Sequence, residues 1–213
     1  KEYILPVYQG SKVMAGLAAK LFSEAEVLRQ LSHSGVVKLY DCFCQDYRGY
    51  LVLEFVDGSS LKDLVNSHGP LSQSQVVELA GQLCRTLIYL HGQNPPVIHR
   101  DLSPDNIMLS KDGELKIVDF NVAKRLEPGD GSAVVGKHAY IPPEQFRGKP
   151  TAQSDIYAFG CTLYFLLTGE EPEPLTVSHP RLVNSKVSES LDQIVSRCTA
   201  LDQDRRFQSF SAV

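Results

Sequence analysis

HRDLSPDN, His99 to Asn106, is the stretch from which the rest of this chain can be read, and IVDFN, Ile117 to Asn121, completes it. The octet fills the pattern H-R-D-L-x-x-x-N, and Asp119 arrives thirteen residues after Asn106, inside the apolar run Leu115, Ile117, Val118 and Phe120. Between the two motifs, IMLSKDGELKIV reads as two short strands joined at Asp112-Gly113, a dipeptide suited to a tight turn with positive φ. One hairpin therefore gathers three polar residues, Asp101, Asn106 and Asp119, over one place.

The chemistry that wants this arrangement is phosphoryl transfer, in which metal ions neutralise phosphate oxygens and one carboxylate orients the attacking hydroxyl. Asp101 suits the second task, and Asn106 and Asp119 are hard oxygen ligands for magnesium. At these residues the chain resembles the eukaryotic-like protein kinases, and SPDN followed by DFN looks most like bacterial members. The resemblance implies an α+β fold of two lobes, a small mainly β lobe to residue 56 and a mainly helical lobe from 57 to 213, incomplete at both ends and lacking the first strands of the small lobe. It also implies ATP and Mg2+ as cofactors and a protein substrate.

Composition is that of an ordinary soluble globular domain: 213 residues, 43% hydrophobic and 22% charged. A net charge of -4, with no run of Lys or Arg, provides no footprint for nucleic acid or an anionic membrane. The longest apolar run, AFGCTLYFLL from Ala158 to Leu167, is too short for a bilayer and suits a buried helix. No signal peptide is read at the start. Five cysteines, of which only Cys42 and Cys44 are neighbours, read as reduced thiols of a cytoplasmic protein, with the C-x-C pair at alternate core-facing strand positions rather than on zinc.

KEYILPVY reads as a strand that ends near Pro6, because proline cannot donate to a central ladder. In LFSEAEVLRQL, Leu21, Leu28 and Leu31 share a helical stripe with Glu24, and a carboxylate in an apolar stripe needs a cationic partner. By the kinase resemblance Glu24 is the helix glutamate that pairs with a strand lysine to hold the ATP phosphates. The family's usual spacing from Glu24 lands on Pro6. The proline argument instead places Lys1 in mid-strand, with a loop from Gln9 to Ala19 taking up the difference. The absence of such a lysine, or Lys12 or Lys20 in its place, remain the alternatives. No G-x-G-x-x-G occurs in the chain.

VVKLYDCF and GYLVLEFV read as paired strands closed by Asp57-Gly58. The second resembles the strand leading into the kinase hinge. By that likeness Leu53 guards the adenine pocket, the backbones of Glu54 and Val56 bond the base, and Met108 counts among the nucleotide-binding residues. Pro70 to Gln93 is an amphipathic helix with a capping-box pattern at Ser72 and Gln75, an end at Gly92 and no chemistry of its own. His91 reads as a helix-end residue.

The resemblance gives His99 a structural place, stacked with Phe120, Leu28 and Leu39. It pairs Glu144 with Arg206, makes Asp155 bond back to the catalytic loop, and lets Gly160 pack closely. Arg100 often meets a phosphorylated residue in this family, and Ser132 is the only serine between Asp119 and Glu144. Three departures stand out. Ser103 replaces the lysine usual two residues after the catalytic aspartate, Asn121 replaces a glycine, and Lys137 stands where threonine is common. Phosphorylation of serine or threonine in a protein is the expected function. A pseudokinase scaffold and a small-molecule phosphotransferase are the competing readings, and oligomeric state is left open.

Overall fold

The structure, a computed structural model, describes residues 1–4, 11–46, 48–120, 124–125 and 137–213. Pro6, Asn121 and Ser132 lie outside them, as do the side chains of Lys12 and Lys20. The described chain forms a small β-rich lobe and a larger helical one.

In the small lobe, β1 (Glu2–Ile4) and β2 (Leu39–Gln45) flank β3 (Arg48–Leu53) in one antiparallel sheet. Lys1 already belongs to this ladder. Its backbone nitrogen donates to the Leu51 carbonyl at 2.8 Å, and its own carbonyl accepts from the Leu51 amide at 2.9 Å. Helix α1 (Ser11–Arg29) lies against the sheet, with Leu21, Ala25 and Leu51 forming a small core. The loop expected from Gln9 to Ala19 is thus a correction: from Ser11 the backbone is helical, because SKVMAGLAAK is rich in strong helix formers and continues the register of the stripe.

After α1 the chain crosses to the large lobe before returning. Ser32 donates its amide to the Tyr89 hydroxyl at 2.7 Å, and the His33 and Tyr89 rings stack at 4.8 Å. The amide of Val37 donates to the Ile117 carbonyl at 3.0 Å, and that of Ile117 to the Gly35 carbonyl at 2.9 Å. A short strand β4 (Gly58–Ser60), read from sequence only as a turn, follows the hinge and leads into α2 (Leu61–His68). Helix α3 (Gln73–His91) has the expected capping box: Ser72 Oγ accepts from the Gln75 amide and the Gln75 side chain accepts from the Ser72 amide. Its buried face is Val76, Leu79, Leu83, Leu87 and Leu90.

Strand β5 (Val97–Ile98) leads into the catalytic loop, and the predicted hairpin follows as β6 (Ile107–Ser110) and β7 (Leu115–Ile117). Gly113 turns it at φ 82°, a conformation costly for residues with a Cβ. Strand β4 pairs with β6, so hinge exit and catalytic hairpin form one sheet; β8 (Lys124–Arg125) pairs with β5. Then come α4 (Pro143–Phe146), α5 (Ala152–Thr168), α6 (Pro180–Val183) and α7 (Glu189–Cys198). Helix α5 is apolar nearly all round and buried accordingly. At Gly160 an added Cβ would sit 2.6 Å from Cys198 Cβ, so only glycine allows this approach of α7. Among the described residues no helix is long and apolar enough to cross a membrane.

Candidate active site

Glu24 is buried on α1, its side chain wholly out of solvent, and a carboxylate there is tolerated only if paired. Lys1 supplies the partner: its Nζ lies 3.1 Å from both carboxylate oxygens. The same ammonium reaches Asp119 Oδ1 at 2.8 Å. The Phe120 amide donates to Glu24 Oε1 at 3.2 Å, which ties the end of the hairpin to α1. Three segments far apart in sequence therefore converge on the Lys1 ammonium, while the side chains of Lys12 and Lys20 lie outside the described residues.

In the catalytic loop, Asn106 Nδ2 donates to the Asp101 carbonyl at 2.8 Å and to its Oδ2 at 2.9 Å. The other oxygen, Asp101 Oδ1, is buried and has no hydrogen-bond partner among the described residues. Burial holds the Asp101 carboxyl above the ordinary range, against the opposing pull of His99 and the Asn106 bond. The loop itself hangs from Asp155 on α5, whose carboxylate accepts the amides of His99 and Arg100, both at 2.9 Å. These bonds hold Arg100 at φ 69°, a left-handed conformation that a non-glycine residue keeps only when its surroundings impose it.

Sequence reasoning missed one member of this group. His91, expected only to end α3, places Nε2 2.8 Å from Asp155 Oδ2. Burial alone would raise the Asp155 carboxyl, but the His91 bond, the nearby histidines and the Arg100 amide outweigh it and bring it below the usual range. The signal was available in Leu90-His91 eight residues ahead of Ile98-His99, though nothing local ties it to Asp155.

The His99 and Phe120 rings meet edge to face at 5.0 Å, with Leu28 in the same core and Leu39 packed against it. On the far side, Arg206 and Glu144 form a buried pair, Nη1 to Oε1 at 2.6 Å. Gln145 then donates to the Arg100 carbonyl at 2.6 Å, joining the segment after Lys137 to the loop. At the hinge, the Glu54 amide is taken by the Lys38 carbonyl at 2.8 Å and its carboxylate by Lys116 at 3.0 Å. The Val56 amide makes no hydrogen bond among the described residues. Leu53 closes β3, and Met108 sits on β6 opposite Ser60 and Lys116.

The protein kinase domain family matches residues 7–213. This chain is a member of that family. Serine/threonine-protein kinase PknB of Mycolicibacterium smegmatis is 34% identical over 209 residues, covering 87% of this chain and 33% of that protein. The protein of the same name from Mycobacterium leprae is 34% identical over 208 residues, with the same shares. The probable serine/threonine-protein kinase PknB of Lactococcus lactis subsp. lactis is 33% identical over 206 residues, covering 89% and 32%. The chain spans about a third of the length of these relatives.

The kinase domain's donor set fits the ion its family uses. No group of three or more His, Cys, Asp or Glu side chains gathers as a metal cage among the described residues. Magnesium does not ask for one, since it keeps several waters and binds one or two protein oxygens together with substrate phosphates. Asn106 spends its Nδ2 on Asp101, which would leave Oδ1 for a metal ion, and the Asp119 carboxylate could be the second hard donor. Cys42 and Cys44 alternate on β2 as free thiols, and the expectation that both face the core is corrected at Cys44, which is exposed.

Proposed function

We propose that this chain carries the catalytic centre of an ATP-dependent serine/threonine protein kinase. The observation that supports it best is the single Lys1 ammonium lying between Glu24 and Asp119, because it fixes a cation where nucleotide phosphates would meet the hairpin that bears Asp101 and Asn106. The names of the relatives support serine or threonine rather than tyrosine as acceptor.

In this reading Lys1, oriented by Glu24, binds nucleotide phosphate oxygens, and the Glu54 carbonyl and Val56 amide bond the base, with Leu53 and Met108 lining its place. Asn106 and Asp119 would hold Mg2+, which when bound neutralises phosphate oxygens. Asp101 orients the acceptor hydroxyl through Oδ1, the oxygen left over when Asn106 takes Oδ2, and accepts its proton. The Asn106 bond keeps the carboxylate from turning away. Because little bond-making falls to protein groups in this reaction, positioning of this kind is most of the catalysis.

A pseudokinase reading rests on the absent G-x-G-x-x-G, the open choice of lysine and Asn121; the Lys1 to Glu24 contact bears on the second and supports the active form. A small-molecule phosphotransferase is disfavoured by the segment anchored through Glu144 and Gln145, which suits an extended peptide platform. The free thiols at 42, 44, 84, 161 and 198 support a reducing, cytoplasmic setting for this domain. The deciding experiment is phosphate transfer from Mg-ATP to a serine- and threonine-containing protein by the full-length kinase beside Asp101→Asn. Transfer that survives the substitution at the parent rate would end the proposal.

A further inference from the structure

The transferring phosphoryl group spreads negative charge over its outer oxygens, so a site for it needs cations on more than one side. Lys1 stands on the nucleotide side, committed to Glu24 and Asp119. In the loop from His99 to Asn106, the position two residues after Asp101 carries no charge. Ser103, two residues after Asp101, is completely buried, and its Oγ has no partner among the described residues. It is uncharged and closed off.

A chain of alternating charge ends beside that loop. Lys62 Nζ on α2 bonds Glu171 Oε1 at 2.6 Å and lies 3.7 Å from Asp105 Oδ2. The same Asp105 oxygen is the partner of Lys137 Nζ, and Tyr140 donates its hydroxyl to Glu171 Oε2 at 2.7 Å. Asp105 immediately precedes Asn106, so the Lys137 ammonium is parked on the same turn that carries the magnesium ligand. The order Glu171, Lys62, Asp105, Lys137 matters. If Lys137 departs, Asp105 still has Lys62, whereas an ammonium resting on a lone carboxylate would leave that charge uncompensated. Lys137 is also the more exposed of the two lysines, 41% against 29%, so of the two it is the one with an open side to leave by.

We propose that Lys137 is a catalytic cation, moving from Asp105 to the outer oxygens of the transferring phosphoryl group and supplying the charge that Ser103 does not. The inference rests on the kinase reading above and deepens it. The bond from the acceptor oxygen to the γ-phosphorus forms as the bond from that phosphorus to its bridging oxygen breaks. The electron pair leaves with ADP and the acceptor proton passes to Asp101. Lys137 neutralises charge throughout and exchanges no proton.

The test compares full-length parent, Lys137→Met and Lys137→Arg in two measurements: transfer kinetics, and calorimetric affinity for Mg-ADP with and without tetrafluoroaluminate, a mimic of the phosphoryl group in flight. Lys137→Met is expected to lower kcat on the order of 10²-fold with the acceptor KM within about threefold. It should lose at least tenfold of the affinity gained from tetrafluoroaluminate while binding Mg-ADP alone like the parent. Lys137→Arg, keeping the charge, should recover most of both. Loss of transfer without loss of mimic binding would overturn the proposal, since Lys137 would then act only on the acceptor segment; so would unchanged values in both measurements. A parent that transfers nothing yet shows the Lys137-dependent affinity for the mimic would sink the kinase reading and leave the phosphate site standing.

Discussion

Arg206 closes on Glu144 through two guanidinium bonds, Nη1 to Oε1 at 2.6 Å and Nη2 to Oε2 at 3.1 Å, with both side chains out of solvent. Three carbonyls, of Gln153, Ala200 and Leu201, take further guanidinium hydrogens, and Ser154 donates to Glu144 Oε1. Breaking a buried pair leaves one charge stranded. Arg206→Leu is therefore expected to cost about 3 to 5 kcal/mol of stability, read from the urea midpoint, with Arg206→Lys recovering little because lysine lacks the fork. A loss below about 1 kcal/mol would mean that the pair does not hold the segment.

Lys1 is expected to be the lysine that serves nucleotide phosphates. Lys1→Met should reduce kcat/KM for ATP by on the order of 10²-fold, and Lys12→Met and Lys20→Met should each stay within about threefold of the parent. The assignment fails if either of the latter takes the large loss.

The raised Asp101 carboxyl sets the acid side of the rate profile. A base must be ionised, so kcat should decline as pH falls through the raised value, at a pH above the ordinary aspartate range. Above it the profile should be flat until another group intervenes. Asn106→Ala removes a bond that favours the ionised form and should move this limb to still higher pH. Steady-state rates between pH 4 and pH 8 check both, and a limb at or below the ordinary aspartate pKa (about 3.9) contradicts the assignment.

Asp155 should behave in the opposite sense. Its carboxyl is lowered in the folded protein, so its contribution to stability is complete above the unfolded pKa and disappears as pH falls through the folded one. His91→Ala takes away the side-chain partner and should cost about 1 to 3 kcal/mol at neutral pH. It should also shift acid unfolding to higher pH. Denaturant titrations at pH 3, 4, 5 and 7 would show the two effects together.

The readable parts of this protein are those where local chemistry decides. Ser72 and Gln75 can meet only at a helix start, and Asp112-Gly113 suits one kind of turn, so α3 and the hairpin were legible. Pro6 pointed to Lys1 through what proline cannot do. The loop expected from Gln9 to Ala19 gives way to helix from Ser11 because the helix propensity of SKVMAGLAAK outweighs the spacing argument from Lys1. Strand β4 was hidden for another reason: Gly58-Ser59-Ser60 has no apolar alternation, and only its partners Met108 to Ser110 make it a strand. His91 and Asp155 lie sixty-four residues apart and meet through two helices, a contact that no window of sequence contains.

The crossing at residues 32–37 gives the small lobe a second mooring besides the hinge. Because Gly35 and Val37 are laced to Ile117, and Ser32 to Tyr89, the trailing end of α1 is a fulcrum rather than a free end. On the kinase reading proposed above, entry of nucleotide is expected to tilt the helix about that point rather than slide it. Glu24 rides on the lever so formed, so on that reading its distance from Lys1 would gauge how far the cleft opens.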